Sequence, residues 1–256
     1  GQPADPAGAA AGELLARPRK GVLLLGMEPN ADCWDPAQAQ ASLRASKLVV
    51  ALTAYRSQSL ESCADIMLPI AGFAETSGTY VNADGRWQGF RGAVAPPGAA
   101  RPAWKVLRVL GNLLDLEAFD YVDSEQVRDE LQALCAELAP DNAVGAAVTE
   151  APFAAAGLTR IGDVPLYALD PLVRRAEALQ RTADAVRAGI RINPALAAAL
   201  DLEGAERAVA VQGDGRAELP LEIDSAVPDD CVRIPAGVPG TGMLGGQFAA
   251  VMLEKG

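Results

Sequence analysis

Hydrophobic positions along this chain fall into two regimes. In the first half they come as short runs, Val22–Leu25, Leu48–Leu52 and Ile66–Leu68, each followed or preceded by a polar or small-residue stretch. Apolar runs this short read as buried strands, and Leu48–Leu52 is also too β-branched to be a good helix. Pro36, suited to a first helical turn, opens a helix to about Ser46, and Ser59–Ala64 reads as a shorter one. Strands separated by helices imply right-handed crossovers and a parallel sheet, so the expected fold class is α/β with a Rossmann-like layer. Thr79–Phe90 reads as a hairpin turned at Ala83-Asp84-Gly85. In Pro102–Leu116, Trp104, Leu107, Leu110 and Leu113 return at helical spacing, and Ser124 is expected to cap a second helix to about Leu138.

From residue 140 the pattern changes. Pro140–Pro165 is rich in Ala, Gly and Pro and reads as a linker. Val164–Ala185 predicts a loop and an amphipathic connector helix, with Leu172, Val173, Ala176 and Leu179 on one face and Arg174, Arg175 and Glu177 exposed. Asn193-Pro194 starts a short helix, and Arg207–Val211, Leu219–Ile223 and Cys231–Ile234 follow as strands. Leu219, Leu221 and Ile223 alternate with Pro220, Glu222 and Asp224, the period of a half-buried strand, and Gly213-Asp214-Gly215 supplies a turn. A small β-barrel is the reading of this tail. The expected organisation is a flexible lead-in over 1–20, an α/β domain over 21–140, a linker and connector over 141–187, and a barrel over 188–256.

Composition narrows the chemistry. Half of the 256 residues are hydrophobic but only 5% are aromatic, so Ala, Val and Leu must build the cores. The formal charge of −11 argues against a nucleic-acid partner, whose phosphates need a basic surface. Histidine is absent, which removes Ser-His-Asp and Cys-His catalysis and every His-containing zinc site. Cys33, Cys63, Cys135 and Cys231 are scattered without a close-set pair, so neither an iron–sulfur cluster, a zinc site nor a disulfide framework is expected within this span. Free cysteines fit a reducing compartment. No apolar run approaches the roughly 18 residues of a membrane-spanning helix, and no signal peptide is legible. The chain starts on Gly1 and is expected to be a piece of a longer protein.

The densest polar chemistry lies in Ala64–Phe90, where a strand stopped by Pro69 runs into Glu75, Thr79, Asn82, Arg86 and Gln88. Residue types alone favour a polar hairpin over a ligand site, with Asp65, Glu75 and Asp84 as solvated charges. Trp87 and Phe90 read as packing residues, and Cys63 as a small core residue. Gly26-Met27-Glu28-Pro29-Asn30 sits where an α/β protein binds nucleotides, yet it lacks G-x-G-x-x-G, and Glu28 would repel a phosphate.

Pro69, Glu75, Gly78-Thr79, Asn82, Gly85-Arg86 and Gln88 resemble the "LP…E…GT…N…GR.Q" signature of the molybdopterin oxidoreductase superfamily. Its members include formate dehydrogenases, nitrate reductases and the large iron–sulfur component of bacterial NADH:quinone oxidoreductase, respiratory complex I. Tyr167 and Asp170–Gln180 are similar to a phrase of the complex I branch, and Arg191–Leu221 with Cys231–Pro239 resembles the superfamily's C-terminal double-psi β-barrel. This resemblance implies a scaffold that carries no catalytic residue, metal or molybdopterin of its own. It also implies iron–sulfur clusters upstream, other peripheral-arm subunits of complex I as partners, and a place on the cytoplasmic side of a bacterial inner membrane. Were the ancestral pterin edge occupied, Glu75, Thr79, Asn82, Arg86 and Gln88 would be its contacts. Two alternatives stay open: a formate-dehydrogenase-like fragment that still holds its cofactor, and a free-standing acidic module that binds a small ligand at Glu75–Gln88.

Overall fold

The computed structural model describes residues 8–138 and 157–256. A short helix α1 (Ala11–Leu15) precedes strand β1 (Val22–Leu25), and Leu15 packs against the first core, so the lead-in expected over 1–20 contains a folded element. Then come α2 (Pro29–Asp32), α3 (Pro36–Arg44), β2 (Val49–Thr53), α4 (Gln58–Glu61) and β3 (Ile66–Pro69). The three strands pair in parallel in the order β1-β2-β3, with Leu24 opposite Ala51 and Ala51 opposite Met67. This is the Rossmann-like layer that the alternation of runs predicts. Asp35 caps α3 by accepting from the Gln38 N–H, and Ser57 caps α4 by accepting from Leu60. Each satisfies a backbone donor that a helix start leaves free. Leu24, Leu43, Val49, Ala51, Leu60 and Cys63 form the core on one side of this sheet. Cys63 is buried there and gives its S–H to the Ser59 carbonyl.

A two-stranded hairpin, β4 (Gly78–Val81) with β5 (Trp87–Phe90), leaves the sheet. Helices α5 (Ala103–Leu113) and α6 (Ser124–Leu134) follow. Asp123, not Ser124, is the cap of α6, accepting from the Gln126 N–H. The backbone of Asp123 is still extended, which aims its carboxylate at the open donors of the first turn, while the Ser124 hydroxyl bonds the Ser77 hydroxyl at 2.8 Å instead.

The second body is a closed barrel of six strands. Strand β6 (Leu158–Ile161) comes first, followed by α7 (Pro171–Arg174), α8 (Glu177–Gln180), β7 (Ile190–Ile192) and α9 (Pro194–Ala199). The remaining strands are β8 (Arg207–Gln212), β9 (Gly215–Ile223), β10 (Cys231–Arg233) and β11 (Ala250–Lys255), and they close in the order β10-β6-β11-β8-β9-β7. Of the predicted inward residues in β9, Leu219 is buried and Leu221 half-buried, but Ile223 at the strand end is exposed; the alternation runs instead through Gly215, Ala217 and Leu219, with Arg216, Glu218 and Pro220 outward. The interior is lined by small and β-branched side chains, including Ala208, Ala210, Ile190, Ile192, Val232 and Val251.

Two expectations are corrected here. The barrel takes β6 from residues 158–161, which the composition places in the linker, so a boundary at 188 cuts off one strand. Part of the Ala-rich linker, residues 139–156, lies outside the described residues. The amphipathic helix is two single turns, α7 and α8, parted at Ala176 (ψ 88°), and Leu172 and Leu179 stay exposed. The Asp170-Pro171 start caps one turn well, since the Asp170 carboxylate accepts from Leu172 and Val173. A second function holds the chain there, and it involves the arginines.

Candidate functional site

In an open α/β sheet the ligand-binding position is the crevice beyond the carboxyl ends of the strands. Here β1 ends at Gly26, whose φ of +61° turns the chain away from the sheet and into Glu28. Glu28 is only 6% exposed. Its carboxylate meets both nitrogens of the Arg175 fork, with Nη1 to Oε1 and Nη2 to Oε2 each at 2.9 Å, and Arg174 Nη1 adds a third bond to Oε1 at 3.2 Å. Arg174 also pairs with Asp32 and donates through Nε to the Ala168 carbonyl. Asp32 in turn accepts from the Glu28 N–H at 2.7 Å. The Arg175 guanidinium lies 4.3 Å from the centre of the Tyr55 ring, beyond the end of β2. Two cations and two anions are thus closed on one another over the strand ends.

Burial by itself pushes the Glu28 carboxyl up, but the hydrogen bond and charge of Arg175, with the charge of Arg174, hold it below the ordinary carboxylate value. The same pair raises Arg175 above its ordinary value, the hydrogen bond it donates to Glu28 being the main cause. The helical spacing predicts Arg174 and Arg175 on the exposed face of a connector; their side chains are 12% and 32% exposed. No local signal links them to Glu28, because the partners stand 146 and 147 residues apart.

The barrel leans on the same edge. Asn30 accepts from the Ser59 hydroxyl at 2.7 Å, and a Cβ on Gly242 would stand 2.9 Å from the Asn30 Cβ. Only a glycine lets the barrel loop come this close. Gln40, buried on α3, donates to the Gly242 carbonyl. Between α3 and the barrel turn Gly213–Gly215 a cavity of about 480 Å³ remains, rimmed by Asp35, Arg44 and Met243.

The five residues of the signature loop do not converge. The Glu75 carboxylate turns back to accept from the Gly72 N–H at 2.9 Å. Asn82 Oδ1 accepts from the Asp84 and Arg86 N–H groups and so builds the hairpin turn. Thr79 lies on β4 opposite Gly89, and Gln88 is exposed on β5 opposite Tyr80. Arg86 is exposed, with no side-chain hydrogen bond or ion pair to the other described residues. Phe90 packs as expected, stacked on Tyr80 with ring centres 5.0 Å apart. Asp65 is no free loop charge, for it accepts from the Val49 N–H at 2.7 Å across the sheet.

A buried arginine that no motif marks organises the barrel. Arg160 on β6 is 1% exposed and donates to the carbonyls of Ile234, Pro235 and Gly245 and to Gln212 Oε1. Gln212 passes the network on to the carbonyls of Gly246, Ala249 and Ala250. Burial lowers the Arg160 pKa to about 10. The one available signal is the short β-branched run Leu158-Thr159-Arg160-Ile161 between Gly157 and Gly162.

A three-stranded parallel layer with an ion-paired strand edge and a closed six-stranded barrel define an α/β-plus-barrel protein. Residues 7–113 match the family described as "Molybdopterin oxidoreductase". The homologues are more particular. The chain is 32% identical over 241 residues to the G subunit of the NADH-quinone oxidoreductase of Streptomyces coelicolor, a match covering 92% of this chain and 27% of that protein. It is 44% identical over 79 residues to the mitochondrial NADH-ubiquinone oxidoreductase 78 kDa subunit of Candida albicans, covering 31% of this chain and 10% of the relative. The corresponding Neurospora crassa protein is 47% identical over 68 residues, covering 27% and 9%. The chain therefore spans about a quarter of its Streptomyces relative. Among solved structures, acetylene hydratase from Pelobacter acetylenicus superposes with a TM-score of 0.61 at 16% identity, covering 92% of this chain and 44% of that one, a likeness of fold.

Proposed function

We propose that this span is a structural part of the iron–sulfur subunit of a respiratory NADH:quinone oxidoreductase, supporting electron transfer from NADH to quinone without a redox centre or catalytic residue of its own. The observation that carries the reading is the closed Glu28–Arg175 and Asp32–Arg174 cluster over the strand ends. A molybdopterin carries phosphate and would need free cations at this edge. The residues present do not fit it: both guanidiniums are already matched by carboxylates, and Glu28 adds a negative charge where a phosphate would sit. The separated positions of Glu75, Thr79, Asn82, Arg86 and Gln88 support the same reading of the signature loop as a retained structural seam.

On this reading the iron–sulfur clusters belong to the remainder of the longer polypeptide, and the partners are the other peripheral-arm subunits. No helix among the described residues is long and apolar enough to cross a membrane, in keeping with a peripheral place on the cytoplasmic side of a bacterial inner membrane. Metal analysis of the full-length protein tests the proposal. Iron without molybdenum or tungsten, with flavin- and iron–sulfur-bearing subunits co-purifying, is the expected result. Stoichiometric molybdenum or tungsten overturns it in favour of a cofactor-holding, formate-dehydrogenase-like enzyme.

A further inference from the structure

Among the described residues the parallel sheet is packed against α3 and α4 on one face, and α5 covers the other only in part. Leu24, Val49, Ala51 and Met67 turn toward the core of α3 and α4. The alternate residues Leu23, Val50, Leu52 and Leu68 face α5 across an apolar groove of about 980 Å³. Leu23, Leu25, Ile66 and Leu68 remain 37–50% exposed on this face, and on the helix side Val109 and Leu113 are exposed as well. Parallel sheets occur almost only with both faces covered, which is why their strands are apolar at every position. Strand β1 is moreover an edge of four apolar residues with no proline, charge or bulge to protect it.

The groove also has a charge pattern. Arg101, Lys105 and Arg108 line it, and among the described residues none of them makes an ion pair, in a chain whose net charge is −11. Trp104 lines the same groove, and its indole N–H and the Arg108 Nε are buried without an acceptor. Buried donors of this kind ordinarily have partners. An occupant that fits is apolar along one side and carries carboxylates along its flank.

We propose that the groove is filled by an amphipathic, acidic-flanked helix of the same polypeptide, from the part outside this span. Its apolar side would lie on Leu23, Val50 and Val109, and its carboxylates would meet Arg101, Lys105 and Arg108. The Streptomyces relative has about three quarters of its length outside the match, so ample chain exists to supply a helix, and a strand beside the open edge of β1. A second copy of the same face would set three cations against three cations, which disfavours a symmetric pair. The inference rests on the reading that this span belongs to a longer subunit, which the mass of the purified polypeptide checks separately.

The test uses the full-length polypeptide purified without its partners. Leu23→Cys and Leu113→Cys variants are labelled with a maleimide and compared site by site with Leu166→Cys, an exposed position in the stretch between β6 and α7. Both groove sites are expected to label more than about fivefold slower than the control, because a packed cover must open before reagent enters. Labelling within that factor overturns the proposal, including the case in which protection arises only on assembly and another protein of the complex is the cover. The unmodified protein supplies a second reading that needs no cavity-making substitution. Carbodiimide coupling is expected to join Lys105 to an Asp or Glu of the same polypeptide outside this span, and coupling only to carboxylates within this span, or to a second copy, overturns the inference.

Discussion

Arg175 and Glu28, 147 residues apart, form a two-pronged ion pair that ties the connector before β7 to the turn after β1. The Glu28 side chain is 9% exposed and that of Arg175 32%, so the carboxylate is the buried partner. Removing one side of such a pair leaves a charge without solvent or counter-ion, which costs far more than the pair contributes when whole.

Arg175→Ala, which leaves Glu28 with Arg174 as its counter-charge, is therefore expected to lower unfolding free energy by about 2 kcal/mol, and Glu28→Ala, which strands Arg175 while Arg174 keeps Asp32, by about 3 kcal/mol. In the double variant the losses fall short of their sum by about 1–3 kcal/mol, because the second change removes the charge the first one stranded. Urea denaturation of the four proteins measures the coupling. Additivity would show that the two residues do not act as a pair.

Acid should weaken this seam with a definite sign. The Glu28 carboxyl is held below its ordinary value, and so is Asp163, first by its hydrogen bond from Arg233 and despite partial burial. For both, the folded state binds its proton at lower pH than the unfolded state does, so the unfolded chain takes up protons first as pH falls. Their contribution is whole above the ordinary carboxylate values and is lost as pH drops through the lowered ones. Urea midpoints followed downward from neutral pH are expected to fall most steeply below the ordinary Glu value, and less steeply in Glu28→Gln.

Arg160→Leu is expected to destabilise the barrel by about 4 kcal/mol, since three buried carbonyls and Gln212 Oε1 lose their donor together. Arg160→Lys restores one donor group without the planar fork and should recover only part of the loss. Hydrogen exchange at Ala208–Val211 in the barrel and at Val49–Leu52 in the sheet distinguishes a local effect from a global one.

In the signature loop the two conspicuous polar residues should separate. Asn82→Ala removes the oxygen that holds the Asp84 and Arg86 N–H groups and should cost about 1 kcal/mol. Arg86→Ala, at an exposed side chain, should shift folding stability by less than about 0.5 kcal/mol. Because the Arg86 side chain is exposed, a larger effect of this substitution is expected in assembly rather than in folding. Thermal denaturation and recovery of the assembled complex measure the two effects.

What the sequence determined by itself is what short-range physics writes into neighbouring residues. Unbroken apolar runs at 22–25, 48–52 and 66–68 are enough for three parallel strands, because only burial tolerates them. Pro36 and Asn193-Pro194 place helix starts, because a cap and its first turn are local. The alternation of Leu219, Pro220 and Glu222 carries the barrel strand in the same way. Tertiary structure decided everything that depends on partners far apart in the chain. It turned two arginines with the spacing of a solvated face into the counter-charges of Glu28, and recruited Leu158–Ile161 into a barrel well ahead of its other strands. It also scattered Glu75, Thr79, Asn82, Arg86 and Gln88, which stand close in sequence, over a turn, a hairpin and open solvent. Periodicity reports which side of an element is dry. It is silent about which charge will be buried against which, since that is settled only when distant elements pack.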